Sequence, residues 1–430
     1  MALTPRFVWL FLAGLLPVIL FPAWWTVVIA ACLLAALAFV DVWLAPSPRS
    51  VVIERALPRS VRLGEPTTSR LLVTNAGRRR LRGQARDGWQ PSAGAEPTKF
   101  ALDVPAGERR AFDVGLLPRR RGDLTVRHTT IRSRGPLGLV WRQLTHASPG
   151  VLRVLPPFHA KRHLPSKLQR LRELDGRAAI QVRGAGTEFD SLRDYVRGDD
   201  VRSIDWRATA RRQNVVVRTW RPERDRRVVI VLDTSRTSAA RIADEPRLDT
   251  GIEATLLLSV LAERGGDRVD FLAFDRRVRA RVESASKGNL LTQLVDGMAT
   301  LEPELIEADW SRVPGQVHLI SSHRSLVVLL TSLDSGAVEE GLLPVLPALT
   351  AQHVVVIAAV RDPELEHRRA ELGSTGDVYR AAAAERALQQ REALKEQLRS
   401  MGAEVVDAAP LDLPPALADA YIRLKATGRL

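Results

Sequence analysis

A carboxylate and two hydroxyls follow one short apolar run, and this group is the part of the sequence best suited to chemistry. The run at 228–232 is rich in β-branched residues, and Asp233, Ser235 and Thr237 come directly after it. Open α/β sheets bind ligands outside the carboxyl ends of their strands. Mg²⁺ prefers oxygen ligands and keeps part of its water shell. The spacing therefore predicts a Mg²⁺ site; the alternative is that Asp233 and Ser235 only cap the next helix.

The surrounding segments are typical of a parallel sheet with helices on both faces. Three further apolar runs, at 269–274, 326–330 and 354–360, predict strands, and 248–263 predicts a helix before the first of them. Continuous apolar strands that alternate with helices belong to sheets buried on both faces. We therefore predict a Rossmann-like α/β domain over 226–430 that ends in charged helices.

Two apolar runs near the start predict a transmembrane helical hairpin over 1–48, with helices at about 7–24 and 25–44. The second run has the roughly 20 residues that a spanning helix needs, and the first approaches that length. Tryptophans at the turn and at the far end stand where aromatic rings favour the headgroup region. A cleavable signal peptide is the alternative, but no small-residue cleavage site precedes the second run.

The charges that flank the hairpin predict its orientation. Arg49, Arg55, Arg59 and Arg62 follow the second run, whereas the turn between the runs carries no charge. Because arginine-rich flanks stay on the cytoplasmic side, we expect both termini and the soluble domains to lie in the cytoplasm, anchored to the cell membrane. Asp41 lies near the cytoplasmic end of the second helix and is expected to reach water at the interface.

Residues 49–156 are strongly basic, and their short alternating runs between turn residues predict a small antiparallel β-sandwich. Residues 51–150 hold 19 Arg and Lys against 8 Asp and Glu, so this segment supplies most of the net charge of +14. Basic residues near an anionic membrane gain about 1 kcal/mol each, and the alternative is that they are simply solvated. A nucleic-acid ligand is disfavoured because no aromatic platform is interleaved with them. The candidate lipid-binding residues are Arg78, Arg79, Arg80, Arg119, Arg120 and Arg121.

The Asp233 group resembles the metal-ion-dependent adhesion site of von Willebrand factor A domains, which opens with Asp-x-Ser-x-Ser or Thr. A longer motif resembles the family called domain of unknown function 58, or DUF58. It reads Tyr-Val-Arg-Gly-Asp-Asp at 195–200 and Arg-Ser-Ile-Asp-Trp-Arg-Ala-Thr-Ala-Arg at 202–211, and it continues to Glu223. Arg121-Gly122 and the Pro-Leu-Gly-Leu run at 136–139 match the family as well.

This resemblance covers the chain from the hairpin to about residue 365. It implies a transmembrane hairpin, a β-sandwich and a von Willebrand A-like domain. Members of the family are often encoded beside MoxR-type AAA+ ATPases, which implies a protein partner of that kind and no known catalysis.

The sequence departs from the adhesion-site pattern at one strand end. A later strand of von Willebrand A domains usually ends in Thr-Asp or Ser-Asp, whereas the run at 326–330 is followed by Thr331 and Ser332. A serine thus stands where the second carboxylate is expected. The candidate metal ligands are Asp233, Ser235, Thr237 and Asp334, with Glu307 or Asp309 where adhesion domains have a threonine.

A charged linker at 157–225 joins the sandwich to the α/β domain and contains most of the DUF58-like motif. We expect its acids to form ion pairs with neighbouring arginines that fix a loop. The apolar anchors expected to hold it on the protein are Tyr195, Ile204, Trp206 and Trp220.

Recognisable enzyme motifs are missing from the sequence. It has no P-loop, no Gly-x-Ser-x-Gly elbow and no histidines at metal-ligand spacing. We therefore predict a membrane-anchored cytoplasmic module that binds and assembles proteins, docks a MoxR-type ATPase at Asp233 and is not an enzyme. The alternatives are a cryptic metal-dependent hydrolase and a basic binder of anionic lipid or nucleic acid.

Overall fold

The computed structural model describes residues 2–181, 188–197, 199–221, 226–243, 245–283 and 289–430. Gly198 and Glu223 of the DUF58-like motif lie outside the described residues. The chain forms two compact units, Met1–Pro157 and Phe158–Leu430.

The first unit starts with a short strand and two apolar helices: β1 (Ala2–Leu3), α1 (Pro5–Leu20) and α2 (Trp24–Leu44). Thr4 caps α1, since its hydroxyl accepts a hydrogen bond from the Phe7 amide, and Pro5 supplies a preformed first turn. Among the described residues, one helical segment is long and apolar enough to span a membrane. This segment, Trp24–Ser50, contains α2 and has a mean hydropathy of 2.6. Helix α1, at 16 residues, is shorter.

The remainder of the first unit consists of strands in two sheets. The strands are β2 (Val51–Ala56), β3 (Ser60–Arg62), β4 (Thr67–Asn75), β5 (Leu81–Trp89), β6 (Ala95–Glu96), β7 (Lys99–Val104), β8 (Arg109–Leu116), β9 (Gly122–Arg134) and β10 (Val140–Leu155). One sheet has the order β1-β10-β9-β5-β7, with β3 also on β10, and the other has the order β2-β4-β8-β6. Val51 and Val73 of the second sheet share a core with Leu81 and Ile131 of the first. The two sheets therefore pack face to face.

Both ends of the apolar hairpin are fastened to strand β10 and the loop before it. Strand β1 pairs antiparallel with β10 at Val140 and Trp141. At the end of α2, the Asp41 carboxylate accepts hydrogen bonds from the backbone amides of 137–140, at 2.7–3.2 Å. Asp41 is fully buried, so the prediction that it reaches water is wrong. Its carboxylate is stabilised by hydrogen bonds from four backbone amides instead of by water.

A buried ion pair lies between the strands of the sandwich. Arg55 on β2 donates to both carboxylate oxygens of Asp87 on β5, at 2.7 and 2.8 Å. Their side chains are 3% and 0% exposed. The hydroxyls of Ser69, Thr129 and Ser148 complete the hydrogen bonding around the Arg55 guanidinium. The pair is thus desolvated and fully satisfied, which is the condition for burying two charges.

The second unit is a mixed α/β assembly. Its helices are α3 (Leu164–Gln181), α4 (Trp206–Arg212), α5 (Arg247–Arg264), α6 (Leu290–Ala299), α7 (Val313–Ile320), α8 (Ser335–Ala337), α9 (Leu346–Thr350), α10 (Glu364–Ala370), α11 (Thr375–Ser400) and α12 (Leu413–Ala426). Its strands are β11 (Glu188–Asp194), β12 (Val216–Arg221), β13 (Arg227–Asp233), β14 (Arg241–Ile242), β15 (Glu245–Pro246), β16 (Arg268–Phe274), β17 (Val278–Val282), β18 (Leu326–Leu330), β19 (Val354–Val360) and β20 (Glu404–Ala408).

Its main sheet, as far as the described residues go, has the order β17-β16-β13-β18-β19-β20. Neighbouring strands run parallel, apart from β17, which is antiparallel to β16. Strands β13, β18 and β19 are buried along almost their whole length, as expected for a sheet covered on both faces. Gly251 brings α5 close to β13, because a Cβ atom there would lie 2.8 Å from Leu232 Cδ1. The predicted alternation of strand and helix is therefore present, with β13 near the centre.

Candidate functional site

Asp233 is the last residue of β13, and its carboxylate is the centre of a buried cluster of hydroxyls. Oδ1 accepts a hydrogen bond from the Ser235 amide at 2.8 Å. Oδ2 accepts from the Thr237 hydroxyl at 3.2 Å and from the Thr331 hydroxyl at 2.7 Å. The Ser235 and Thr237 hydroxyls lie 3.2 Å apart. The structure thus brings Asp233, Ser235 and Thr237 together and adds Thr331.

The parallel register of the sheet explains this convergence. Leu232 on β13 pairs with Leu330 on β18. The residues that follow these two are Asp233 and Thr331, so both leave the sheet at the same edge. The Ser235 amide and the Thr237 hydroxyl reach the carboxylate because the chain turns back over the strand end after Asp233. The site occupies the edge where open α/β sheets bind ligands.

Asp275 is a second buried acid at this edge, and it is not among the site residues predicted from the sequence. It directly follows β16, the other neighbour of β13. Its carboxylate accepts hydrogen bonds from the Thr234 hydroxyl at 3.1 Å and from the amides of Arg276 and Arg277. An acid directly after an apolar strand is the signal that would have found it, since the same signal identified Asp233.

The other candidate ligands are paired with arginines. Asp334 lies 2.8 Å from the Arg247 guanidinium in an ion pair. Glu307 pairs with Arg236 at 2.6 Å. Asp309 pairs with Arg312 at 3.0 Å and accepts from the hydroxyl of Ser311. These acids therefore do not hydrogen-bond to the Asp233 cluster, where the convergent groups are one carboxylate and hydroxyls.

Burial raises the pKa of Asp233, because desolvation opposes the charged form more than the hydrogen bonds from Thr331, Ser235 and Thr237 favour it. The folded state therefore prefers the protonated acid. This contribution to stability is full below the unfolded pKa of about 3.9 and is lost as the pH rises through the raised folded value. Above that folded pKa the ionised carboxylate costs stability, and a cation beside it would offset that cost.

The donor set fits Mg²⁺ in chemistry but supplies little charge. The side-chain groups that converge are a carboxylate and hydroxyls, which offer the oxygen ligands that a hard ion requires. Within the described ranges, no group of three or more His, Cys, Asp or Glu side chains could hold a metal. Ser332, at the position expected for the second carboxylate, is buried, and its hydroxyl has no hydrogen-bond partner among the described residues. It lines a recess of about 20 Å³ together with Thr331, Ser238 and Arg247, large enough for one water molecule.

Comparison with known families identifies the region that contains this site. Residues 191–404 match the model of the family described as "Protein of unknown function DUF58". This range contains β13, the Asp233 cluster and the described part of the motif at 195–211. The chain belongs to the DUF58 family. The resemblance noted in the sequence is therefore confirmed for this region.

Two mycobacterial proteins are similar to this DUF58 chain. Uncharacterized protein Rv1480 of Mycobacterium tuberculosis (strain ATCC 25618 / H37Rv) is 27% identical over 199 residues, which are 46% of this chain and 61% of that protein. Uncharacterized protein Mb1516 of Mycobacterium bovis matches with the same identity and coverage. The match thus spans 61% of the length of these curated relatives.

Solved structures give only remote likenesses to this DUF58 chain. A PapD-like domain of human CEP192 matches 24% of the chain and 84% of its own length, with 13% identity and a TM-score of 0.17. An inactive mutant of a GH20 exo-β-N-acetylglucosaminidase from Vibrio harveyi matches 83% of the chain and 75% of its own length, with 11% identity and a TM-score of 0.23. Neither likeness defines a shared fold.

The DUF58 motif at 195–211 uses its acids to hold its own backbone. Asp199 pairs with Arg193 at 2.6 Å and accepts from the Val196 amide. Asp205 caps α4 and pairs with Arg218 at 2.8 Å. Ion pairs do fix this loop, although the partners differ from the arginines adjacent in sequence. Trp206 is 68% exposed, so the prediction that it anchors the motif is wrong.

The six candidate lipid-binding arginines differ in their surroundings. Arg80 forms a bidentate pair with Asp103, and Arg79 donates to the Trp43 carbonyl at the end of α2. Arg121 is buried. The exposed ones are Arg78, Arg79, Arg80, Arg119 and Arg120. The turn at 78–80 therefore lies beside the end of the apolar hairpin.

Proposed function

We propose that this DUF58 chain is a membrane-anchored protein-binding module with a von Willebrand A-like second unit, and that it docks a protein partner at the Asp233 cluster. The convergence of Asp233, Ser235, Thr237 and Thr331 within 2.7–3.2 Å carries the proposal. These groups form a small polar site at the ligand-binding edge of an α/β sheet. The partner we propose is a MoxR-type AAA+ ATPase.

The chemistry of the cluster favours a ligand that completes an oxygen site. Mg²⁺ beside Asp233 would balance its carboxylate and leave positions open for an acidic side chain of the partner. An ion with a single protein carboxylate keeps much of its positive charge. Such a site would bind a partner's carboxylate in place of a water ligand, without any covalent bond being made or broken, which suits docking better than hydrolysis.

The Asp233 cluster leads to a prediction about partner binding. We expect Asp233→Asn in the full-length chain to weaken binding of the MoxR-type ATPase of the same organism by at least about 30-fold, equivalent to about 2 kcal/mol for a lost buried charge contact. Binding is measured by copurification and titration in detergent. Asp296→Asn, which changes an exposed carboxylate on α6, is the matched control and should leave binding unchanged.

Thermal melting tests the ion separately. At about 100 times its dissociation constant, Mg²⁺ should stabilise the parent chain by about 2.7 kcal/mol and raise its Tm by about 3–5 °C, but should not stabilise Asp233→Asn. If Mg²⁺ leaves the Tm of the parent chain unchanged while Asp233→Asn still loses partner binding, the partner binds this surface without the ion. Unchanged partner binding in a folded Asp233→Asn chain would exclude docking at this site.

The attachment of the hairpin supports a topology prediction. Because β1 and Asp41 both contact β10 or the loop before it, the two ends of the hairpin lie on the same side as the sandwich. We propose that α1 and α2 both cross the cell membrane and that the soluble units are cytoplasmic. A reporter fused after Leu430 should therefore be active in the cytoplasm. Labelling of that end from outside intact cells would contradict this topology.

A further inference from the structure

The exposed loop of the DUF58 motif has an unusual surface. The described residues of 195–206, which exclude Gly198, are joined at both ends to β12 and the residue before it. The Tyr195 amide donates to the Val215 carbonyl, and the Asp205 amide donates to the Val216 carbonyl. Between these two points, Val196 and Val201 are each 62% exposed. Trp206 follows directly at 68% exposure. Three large apolar side chains thus face solvent, two on this loop and one at the start of α4.

The acids of this loop are occupied by its own structure. Asp199 is held by Arg193 and the Val196 amide, and hydrogen bonding to Arg193 lowers its pKa. Asp205 accepts from two amides at the start of α4 and pairs with Arg218. Asp200 accepts from the Arg202 amide and caps a short turn. Their negative charge is therefore directed to the backbone and to arginines outside the loop.

The remaining arginines leave the loop surface positive. An arginine follows each exposed apolar residue: Arg197 after Val196, Arg202 after Val201 and Arg207 after Trp206. All three arginines are exposed, and none forms an ion pair with another described residue. We call these three arginines and the three apolar residues the Trp206 patch. Its apolar residues and cations alternate along the chain and are all exposed, so a ligand of this segment has to accommodate both kinds of side chain.

We propose that the Trp206 patch binds the anionic headgroup surface of the membrane. Tryptophan favours the level of the headgroups, valine side chains enter the acyl boundary, and arginines meet lipid phosphates. The apolar segment Trp24–Ser50 is long and apolar enough to attach the chain to a bilayer, and that attachment would keep lipid headgroups at a high effective concentration. The inference depends on that membrane attachment and not on docking at Asp233.

A fluorescent label beside Trp206 tests the proposal in the full-length chain. Cys32 is the single cysteine and is exposed, so Cys32→Ala allows selective labelling of a new Val201→Cys. The labelled chain is placed in nanodiscs of phosphatidylcholine with or without phosphatidylglycerol and with a quencher on the acyl chains. We expect the label to be quenched and blue-shifted in anionic nanodiscs and released by high salt. Asp296→Cys, labelled in the same way, should remain unquenched.

Arginine and tryptophan substitutions complete the test. Arg202→Gln and Arg207→Gln should each lower the ratio of bound to free patch by about fivefold, equivalent to about 1 kcal/mol per basic residue near an anionic surface. Trp206→Ser should also reduce the quenching at position 201. A label at 201 that is as unquenched as the one at 296, in anionic nanodiscs at low salt, would overturn the proposal. A blue shift of the label at position 201 that requires an added acidic protein, and not the anionic lipid, would overturn the proposal as well.

Discussion

Replacement of Asp87 by alanine is expected to destabilise the sandwich by about 3–5 kcal/mol, because it leaves the Arg55 guanidinium buried without its counterion. The Arg55 side chain is 3% exposed, so water cannot replace the lost carboxylate. Three hydroxyls remain around the guanidinium, but they carry no compensating charge. Denaturant unfolding of the full-length chain in detergent, followed by tryptophan fluorescence, measures the effect. Trp89 lies 5.5 Å from the Arg55 guanidinium and reports on this region.

An exposed pair in the same sandwich is the matched control. Arg70 and Asp113 form a bidentate pair like that of Arg55 and Asp87, but their side chains are 57% and 49% exposed. Asp113→Ala should therefore leave the unfolding curve nearly unchanged. Adding Arg55→Met to Asp87→Ala should recover part of the loss, since it removes the stranded charge. If Asp87→Ala is as stable as Asp113→Ala, the Arg55–Asp87 pair is not shielded from water in solution.

Removal of the Asp41 carboxylate should open the joint between the hairpin and the sandwich. In Asp41→Ala, four backbone amides lose a charged acceptor, and each such hydrogen bond is worth about 1.5–3 kcal/mol. We expect hydrogen exchange of the amides at 137–140 to accelerate at least about 100-fold, equivalent to about 3 kcal/mol of local stability. Exchange measured by mass spectrometry in detergent gives this rate directly.

A second substitution, at Gly135, tests the same contact of the Asp41 carboxylate. A Cβ atom on Gly135 would lie 2.2 Å from Asp41 Oδ1, so Gly135→Ala should displace the carboxylate and accelerate the same amides. Gly107→Ala also alters a turn glycine of this unit, but nothing lies within 4 Å of its added Cβ atom. It should leave exchange at 137–140 unchanged. Slow exchange at these amides in Asp41→Ala would contradict the proposed role of the carboxylate.

The central strands of the second unit could be predicted because they are continuous apolar runs, which is the pattern of strands buried on both faces. A β-branched run buried on both faces has few alternatives to a central parallel strand. The apolar run at 354–360 is strand β19 residue for residue, and the run at 228–232 lies within β13. The helix predicted at 248–263 lies within α5. In these segments, local composition and tertiary environment agree.

The candidate site could be predicted in part. Asp233, Ser235 and Thr237 are close in the chain, so their spacing alone indicated that they meet. Thr331 joins them through the register of β13 and β18, which is set by strand order and is not visible in a local motif. Asp334 was selected by its sequence distance from Ser332, but its geometry is decided by the nearby Arg247.

Two residues show where composition alone misleads. Trp206 was expected to be buried because it is apolar, yet helix α4 has seven residues and presents this side chain to solvent. Asp41 was expected to reach water because carboxylates are costly to bury. Its four amide donors lie 96 to 99 residues later in the chain, so the sequence around α2 gives no sign of them.

The attachment of the hairpin to β10 has a consequence for the order of folding. Asp41 precedes its amide donors by 96 to 99 residues. At about 5–20 residues per second, the ribosome needs about 5–20 s to supply those donors after it has made α2. The hairpin is therefore available for insertion into lipid before the strand that fastens both its ends exists. A nascent chain that stalls before residue 137 would hold its apolar helices without the joint that later fixes them.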